Sequence, residues 1–238
     1  MPFFTFFDPT ILFLIPAMLF ALYAQAKVQS TFAKYLQVPA RAGYTGAQVA
    51  RAILDRAGLR DVPVEQIPQR LGDHYDPRSR AVRLSPEVFH GRSLASLSVA
   101  AHETGHALQH AEAYVPLTMR TNLFPIAAIG SSAAFPLFFL GFLFSAGAGA
   151  GNLGAMLMNI GIWFFIAAVA FQVVTLPVEF NASARAMKLL TAGGFLQQDE
   201  VKGSRAVLTA AALTYVAATA MAVMQLLRLL FLRNLARD

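Results

Sequence analysis

The chain contains no cysteine among its 238 residues. It therefore has no disulfide framework, no thiolate metal ligand and no cysteine nucleophile. Any metal site must use histidine, aspartate or glutamate.

Charged residues are also scarce, at 13% of the chain, whereas soluble domains carry about 25%. Because 56% of the residues are hydrophobic, disorder is excluded as well. The composition predicts a membrane protein.

The few charges are unevenly distributed. A polar segment between Lys27 and Glu112 contains 11 Lys or Arg and 8 Asp or Glu residues. Most of the chain outside this segment is apolar. The net charge is +6, but the basic residues are mixed with acidic ones and lie near apolar runs. This pattern favours contact with anionic lipid headgroups over nucleic acid, so we expect a bilayer and no nucleic acid among the partners.

Uncharged runs mark the candidate membrane spans, because a spanning helix needs about 20 apolar residues. Pro9–Ala26 gives 18 uncharged residues and Ala206–Leu227 gives 22. Thr121–Val178 gives 58, which is too long for one helix. We interpret it as two spans, near 123–145 and 153–175, joined by a glycine-rich turn. About four transmembrane helices follow.

Positive charge also predicts the topology. Lys27, Lys34, Arg41 and Arg51 follow the first span, whereas only Asp8 precedes it. The positive-inside rule then places the polar segment in the cytoplasm.

Capping patterns predict two helices in the polar segment. Thr45 and Gln48 form a capping box before a helix at about 46–57. Ser93 is placed to cap a second helix that runs to about Ala113.

The polar segment also contains two strand candidates. These are VEQI at 64–67 and AVRLS at 81–85. Residues 74–79 between them, His-Tyr-Asp-Pro-Arg-Ser, carry the turn residues of a hairpin.

The helix that begins after Ser93 contains an H-E-x-x-H motif at residues 102–106. Residues four apart lie on one helical face, so His102 and His106 can both reach one Zn²⁺ at about 2.0–2.1 Å. Glu103 lies beside them and can take a proton from a metal-bound water. The alternative is that both histidines are structural.

A catalytic zinc site usually has three protein ligands and one water. His110 continues the same face, but three ligands on consecutive turns extend over about 12 Å, too far for one ion. Glu179 is the only acidic residue between Ala113 and Gln198, and it directly follows the long uncharged run. A lone carboxylate at the end of a membrane helix predicts a functional site. The alternative is an interfacial anchor.

Pro177 just before Glu179 predicts the start of a new helix, with Glu179 in its first turn. On the predicted topology Glu179 emerges on the same side of the membrane as the two histidines.

The motif and its surroundings resemble a known family. HETGHALQH, together with DHYDPRSRAVRLSPEVFHGRS and LPVEFNASARA, is similar to the YugP-like family of bacterial membrane zinc metallopeptidases. The likeness covers nearly the whole chain, from FDPT through the last span. It implies a neutral zinc peptidase of gluzincin type, related in plan to the HtpX-type proteases. The resemblance assigns His102, His106 and Glu179 as ligands and Glu103 as the catalytic glutamate.

Two positions depart from the related patterns. HtpX-type proteins often carry an acid four residues after the ligand glutamate, where this chain has Ser183. In YugP-like sequences we expect an acid two residues after it, where this chain has Asn181. Both residues can hydrogen-bond a ligand, so metal binding is still expected, but the tuning of the imidazoles is left open.

Further residues are candidates for supporting roles. His74, Tyr75 and Arg185 can stabilise the oxyanion that forms when water attacks a carbonyl. The alternatives are turn residues for the first two and a headgroup contact for Arg185. His110 is a candidate to support the ligands or to lie at the surface. By the same resemblance, the strand at 81–85 is expected to align an extended peptide through its main chain.

Other classes of protein fit less well. A di-iron oxygenase needs more ligands than five histidines, all between His74 and His110, and one distant glutamate provide. A transporter is disfavoured because the spans contain no charged residue to mark an ion path. The main alternative is a non-catalytic metal-binding membrane assembly or regulatory protein, although a purely structural zinc site needs no base such as Glu103.

The predicted fold is mainly α, with about four transmembrane helices and a small α+β zincin-like cytoplasmic part that carries the motif helix. The predicted segments are a first transmembrane helix (1–26), a cytoplasmic metallopeptidase segment (27–120), a transmembrane hairpin (121–178), a third-ligand helix and loop (179–205), and a last transmembrane helix with a basic tail (206–238).

The predicted function is that of an endopeptidase with one Zn²⁺ per chain. We expect a multi-pass protein of the cell (inner) membrane whose active site lies on the cytoplasmic side. Membrane proteins or hydrophobic peptides are the expected substrates.

Overall fold

The structure is a computed structural model that describes residues 9–146 and 151–236. Asp8 and most of the predicted glycine-rich turn lie outside the described residues.

Helices dominate the described part of the chain. A short 3-10 helix precedes seven α-helices and three strands, which are Pro9–Leu14 (3-10), α1 Ile15–Leu36, α2 Gly46–Arg56, β1 Val64–Gln66, β2 His74–Asp76, β3 Ala81–Leu84, α3 Pro86–Phe89, α4 Leu94–Ala111, α5 Val115–Ala146, α6 Gly151–Ala192 and α7 Val201–Leu235.

Among the described residues, four helices are long and apolar enough to cross a membrane, at Thr10–Leu36, Val115–Ser145, Asn152–Ala192 and Val201–Leu235. The prediction of a mainly α membrane protein with about four transmembrane helices and a small α+β part is confirmed. Helices α5 and α6 contain the spans expected at 123–145 and 153–175 and continue beyond them.

The chain divides into two compact units. The helical unit consists of Met1–Tyr23, Met119–Thr175 and Tyr215–Asp238, and the mixed unit consists of Ala24–Thr118 and Leu176–Thr214. The five functional segments expected from the sequence remain a prediction.

Small residues set the contact between α5 and α6 in the helical unit. A Cβ atom added at Gly161 would lie 2.7 Å from the carbonyl oxygen of Ala134 and 2.9 Å from the amide nitrogen of Phe138. One added at Gly141 would lie 2.6 Å from the carbonyl oxygen of Gly154. The two backbones therefore approach as closely as glycine allows, which is how membrane helices gain packing energy in a solvent as apolar as themselves.

Both predicted helix caps of the mixed unit are present. Thr45 accepts a hydrogen bond from the amide of Gln48, and the Gln48 side chain accepts one from the amide of Thr45. Ser93 accepts from the amide of Ser96 at the start of α4. The two helices end at Arg56 and Ala111, within two residues of the expected positions.

The apolar faces of α2 and α4 pack into one core with the sheet and the end of α6. The fully buried members of this core include Val49, Leu54, Val82, Leu84, Leu97 and Leu190.

The sheet differs from the predicted hairpin. Its order is β1-β3-β2, with β1 parallel to β3 and β2 antiparallel to β3. Val82 of β3 is the register partner of Val64 on one side and of Tyr75 on the other. The expected pairing of 64–67 with 81–85 as a hairpin is therefore wrong, because the intervening segment supplies a third strand.

The turn of the actual hairpin is shorter than the one predicted at 74–79. It covers only the residues that follow Asp76, whose carboxylate accepts hydrogen bonds from the amide of Arg78 at 2.9 Å and the hydroxyl of Ser79 at 2.7 Å. An aspartate that bonds its own backbone two residues further on closes a turn locally. His74 and Tyr75 are thereby left free to extend as β2.

The prediction that Pro177 starts a helix is also wrong. Helix α6 runs without interruption from Gly151 to Ala192, with Pro177 inside it. Proline removes one backbone N–H hydrogen bond of the helix, and a proline inside a membrane-spanning helix is tolerated. Glu179 therefore projects from the middle of a long helix.

The α5–α6 contact predicts the effect of Gly161→Ala. Alanine has a helix propensity about 1 kcal/mol better than that of glycine. Here its methyl group meets backbone atoms that cannot move aside, so we expect a net loss of about 1–3 kcal/mol in unfolding free energy. Thermal unfolding of the detergent-solubilised protein, followed by helical circular dichroism, measures this. Ala128→Val on the exposed face of α5 is the control. An unfolding temperature at or above wild type for Gly161→Ala would contradict the packing argument.

Candidate metal centre

Helix α4 presents the two motif histidines side by side. His102 and His106 are one turn apart, with ring centroids 4.8 Å from each other in an edge-to-face arrangement. Helix α6 brings Glu179 to both rings. Its Oε2 lies 3.2 Å from Nε2 of His102 and 3.5 Å from Nε2 of His106. The three side chains that sequence analysis selected from distant positions thus meet at one point.

The donor set fits a zinc ion. Ligand atoms of a tetrahedral zinc at about 2.0–2.1 Å lie about 3.3 Å from one another. The measured separations of 3.2 and 3.5 Å match that spacing, and all three ligand atoms lie within 4.8 Å of one another. Two imidazoles and one carboxylate leave the fourth position open, as in catalytic zinc sites.

The electrostatics of the cluster favour a cation. The Glu179 side chain is only 2% exposed, and Glu103 is also buried. Burial lowers the pKa of His106, but the hydrogen bond to Glu179 and the charges of Glu103 and Glu179 outweigh burial. The pKa of His106 therefore lies above its ordinary value. Two carboxylates that face two imidazoles attract positive charge, whether it is carried by a proton or by a metal ion.

Gly105, inside the motif, allows α6 to reach this position. A Cβ atom at residue 105 would lie 2.9 Å from the carbonyl oxygen of Ala182. Ala182 is less than one helical turn after Glu179, so this contact sets how closely the carboxylate approaches the histidines. Gly105 is one of the two unspecified positions of the H-E-x-x-H pattern, so the sequence motif does not indicate this role.

Each histidine ring is held through its other nitrogen. Ser183 Oγ lies 3.2 Å from Nδ1 of His102, and Gln109 Oε1 lies 3.0 Å from Nδ1 of His106. Both bonds leave Nε2 directed towards Glu179. Ser183 contacts a ring as the sequence analysis anticipated. Gln109 was missed, although its position three residues after His106 on the same helical face was a usable signal.

Glu103 is anchored by the sheet. Its Oε2 accepts a hydrogen bond of 3.0 Å from the main-chain amide of Tyr75 in β2. Strand β2 is an edge strand, whereas β3 is paired on both sides. The expectation that residues 81–85 align a peptide through their main chain is therefore wrong, because the hydrogen-bonding groups of a central strand are taken up by its two neighbours.

The other predicted supporting residues lie in separate contacts. The Tyr75 hydroxyl and His110 Nδ1 share a hydrogen bond of 2.7 Å, and burial raises the pKa of the Tyr75 hydroxyl above its ordinary value. His74 is exposed and donates from Nδ1 to the carbonyl of Gly72 at 2.7 Å. The Arg185 guanidinium pairs with Glu112 at 2.7 Å.

Asn181 does not contact a ligand ring among the contacts described. Its Oδ1 accepts hydrogen bonds from Gln109 at 2.9 Å and from Arg185 at 2.7 Å. It thus connects to the cluster through Gln109.

Comparison with known proteins identifies the family of the chain. A family model described as "Putative neutral zinc metallopeptidase" matches residues 10–234. The chain belongs to this family. It is also 49% identical over 225 residues to the "Putative membrane protease YugP" of Bacillus subtilis (strain 168), a match that covers 94% of this chain and 96% of the relative. The resemblance found in the sequence is confirmed. No solved structure matches the chain.

The close contact at Gly105 predicts that Gly105→Ala weakens zinc binding. The added methyl group displaces α6 and carries Glu179 away from the histidines. Overpacking of this kind costs about 1–3 kcal/mol, which corresponds to about a 5–150-fold loss if it is expressed in zinc affinity. Competition with a chromogenic chelator measures the zinc dissociation constant. Ala111→Val, at the exposed end of the same helix, is the control and should bind zinc like wild type. Unchanged affinity in Gly105→Ala would show that the helix contact does not control the site.

Proposed function

We propose that this protein is a membrane-bound zinc endopeptidase that holds one zinc ion per chain through His102, His106 and Glu179. The observation that carries the proposal is the approach of Glu179 Oε2 to Nε2 of both histidines at 3.2 and 3.5 Å. Membership of a family described as zinc metallopeptidases supports the choice of metal and of reaction.

A bound zinc ion supplies Lewis acidity, which polarises a substrate carbonyl and lowers the pKa of a water molecule. Glu103 is the general base in this scheme. It takes the proton from the attacking water and later delivers it to the leaving amine. Its Oε2 is held by the amide of Tyr75, so the carboxylate is oriented before substrate arrives.

The two histidines would bind the metal through Nε2. Nδ1 of each ring bonds instead to a neutral side chain, Ser183 at His102 and Gln109 at His106. A site that was only structural would fill the fourth position with a protein ligand and would need no base. The glutamate directly after His102 therefore favours catalysis over a non-catalytic metal-binding assembly.

The substrate class follows from the helix that supplies the carboxylate. Helix α6 carries no charge from Asn152 to Val178, and Glu179 is the next residue on the same unbroken helix. We infer that the substrates are membrane proteins or hydrophobic peptides. The basic residues that follow the first span (Lys27, Lys34, Arg41 and Arg51) support a site on the cytoplasmic side of the cell (inner) membrane.

Metal content tests the ligand assignment. We expect about one zinc per chain in the purified wild type, which is the usual content of a catalytic zinc site. Glu103→Gln should retain the metal, whereas Glu179→Gln should lose it on dialysis because a carboxamide is a weaker ligand than a carboxylate. Elemental analysis of the detergent-purified variants measures this, with Glu65→Gln as a control on an exposed carboxylate outside the cluster. Full zinc retention in Glu179→Gln would mean that the third ligand lies elsewhere.

Cleavage tests the reaction. The zinc-loaded wild type should cleave casein or a fluorogenic hydrophobic peptide, lose activity on chelation and regain it with added zinc. Glu103→Gln should keep the metal but lose about 10²–10⁴-fold in kcat, the usual contribution of a general base. If the zinc-loaded wild type cleaves no peptide bond, the non-catalytic assembly becomes the better account.

A further inference from the structure

Gln109 is a fully buried polar residue of α4, with an exposed fraction of 0%. Its amide bridges the two helices of the candidate site. Oε1 lies 3.0 Å from Nδ1 of His106. Nε2 donates to the carbonyl oxygen of Val178 at 2.9 Å and to Oδ1 of Asn181 at 2.9 Å. Val178 and Asn181 flank the ligand Glu179 on α6.

Arg185 determines which groups donate and which accept in the series of hydrogen bonds that leads through Asn181 and Gln109 to His106. Arg185 Nε can only donate, so the atom of Asn181 that faces it at 2.7 Å must be the oxygen. That oxygen can only accept, and the carbonyl of Val178 can only accept as well. The group of Gln109 that faces them must therefore be its NH₂, which turns Oε1 towards His106.

The tautomer of His106 follows. Oε1 of Gln109 can only accept, so Nδ1 of His106 donates to it. A neutral ring that keeps its proton on Nδ1 has its lone pair on Nε2, where a metal ion can bind. Ser183 imposes no such choice on His102, because a hydroxyl can donate or accept. The two rings are thus held by different groups. The hydrogen bond at Nδ1 of His106 belongs to a network that extends to Arg185, whereas Nδ1 of His102 bonds to a single hydroxyl.

We propose that Gln109 is a positioning residue of the metal centre. It locks His106 in the tautomer that presents Nε2 to the metal, and it ties that ring to the turn of α6 that supplies Glu179. This role rests on the proposed function in that His106 and Glu179 are taken as ligands. Ordinarily a carboxylate, carbonyl or water accepts from the second nitrogen of a ligating histidine; here a neutral, fully buried amide does so.

Gln109→Met tests the role, since methionine has a similar length but no hydrogen-bonding amide. We expect zinc affinity, measured by chelator competition, to fall about 10–100-fold, as when such supporting bonds are lost elsewhere. The visible absorption of the Co²⁺-substituted protein should shift as the ligand geometry changes. Thr104→Val, a fully buried control on α4 whose hydroxyl bonds to Ala100, should leave both readouts unchanged. Ser183→Ala should weaken zinc binding less than Gln109→Met does.

Wild-type affinity in Gln109→Met, or an equal loss in Thr104→Val, overturns the positioning role. These results differ from failure of the proposed function, in which the wild type itself holds no zinc or cleaves no peptide.

A second measurement needs no variant. Histidine ¹⁵N resonances of the zinc-loaded wild type should show a proton on Nδ1 of His106, where Gln109 accepts it, and none on Nε2. A proton on Nε2 of His106 in the zinc-loaded protein would mean that Nε2 is not the ligating atom, which overturns the proposal. If Gln109→Met fails to fold, this spectrum decides the question alone.

Discussion

The contact between α4 and α6 at Gly105 and Ala182 is the constraint on which the candidate site depends. The carbonyl oxygen of Ala182 lies so close to Gly105 that it would collide with the Cβ atom of any other residue at that position. This approach lets a carboxylate 73 residues beyond the motif reach both histidines. Side chains of ordinary length can then bridge the two helices, as Ser183 does to His102 and Gln109 does to the backbone of α6.

The continuity of α6 has a related consequence. Because the helix passes through Pro177 unbroken, the position of Glu179 is fixed by a rigid element rather than by a loop, which suits a ligand that must be held accurately. The groups that hold the rings are neutral, and the Glu103 carboxylate is held by a main-chain amide. Among the contacts described, the carboxylates at the cluster are therefore those of Glu179 and Glu103 themselves.

Local chemistry made much of the molecule predictable. The four spanning helices follow from runs of uncharged residues long enough to cross a bilayer. The helix caps at Thr45 and Ser93 follow from side chains that bond amides three residues away. The shared face of His102 and His106 follows from the period of the α-helix. Glu179 could be selected because it is isolated in a long stretch without other acidic residues.

Other features depend on residues far apart in the chain, and for these the sequence pattern was insufficient. In the sheet, β1 pairs with β3 and not with β2, the next strand along the chain. The residues of a short apolar strand do not indicate which other strand it pairs with. The role of Gln109 depends on acceptors some 70 residues away. By itself, then, the sequence determined the spans, the caps and the motif face, because these depend on runs and spacings within one segment of the chain. It also singled out Glu179 as the candidate third ligand, because no other acidic residue lies near it in the sequence. Only the tertiary structure decided how closely the two helices meet and which way each ring is held, because both depend on packing between distant segments.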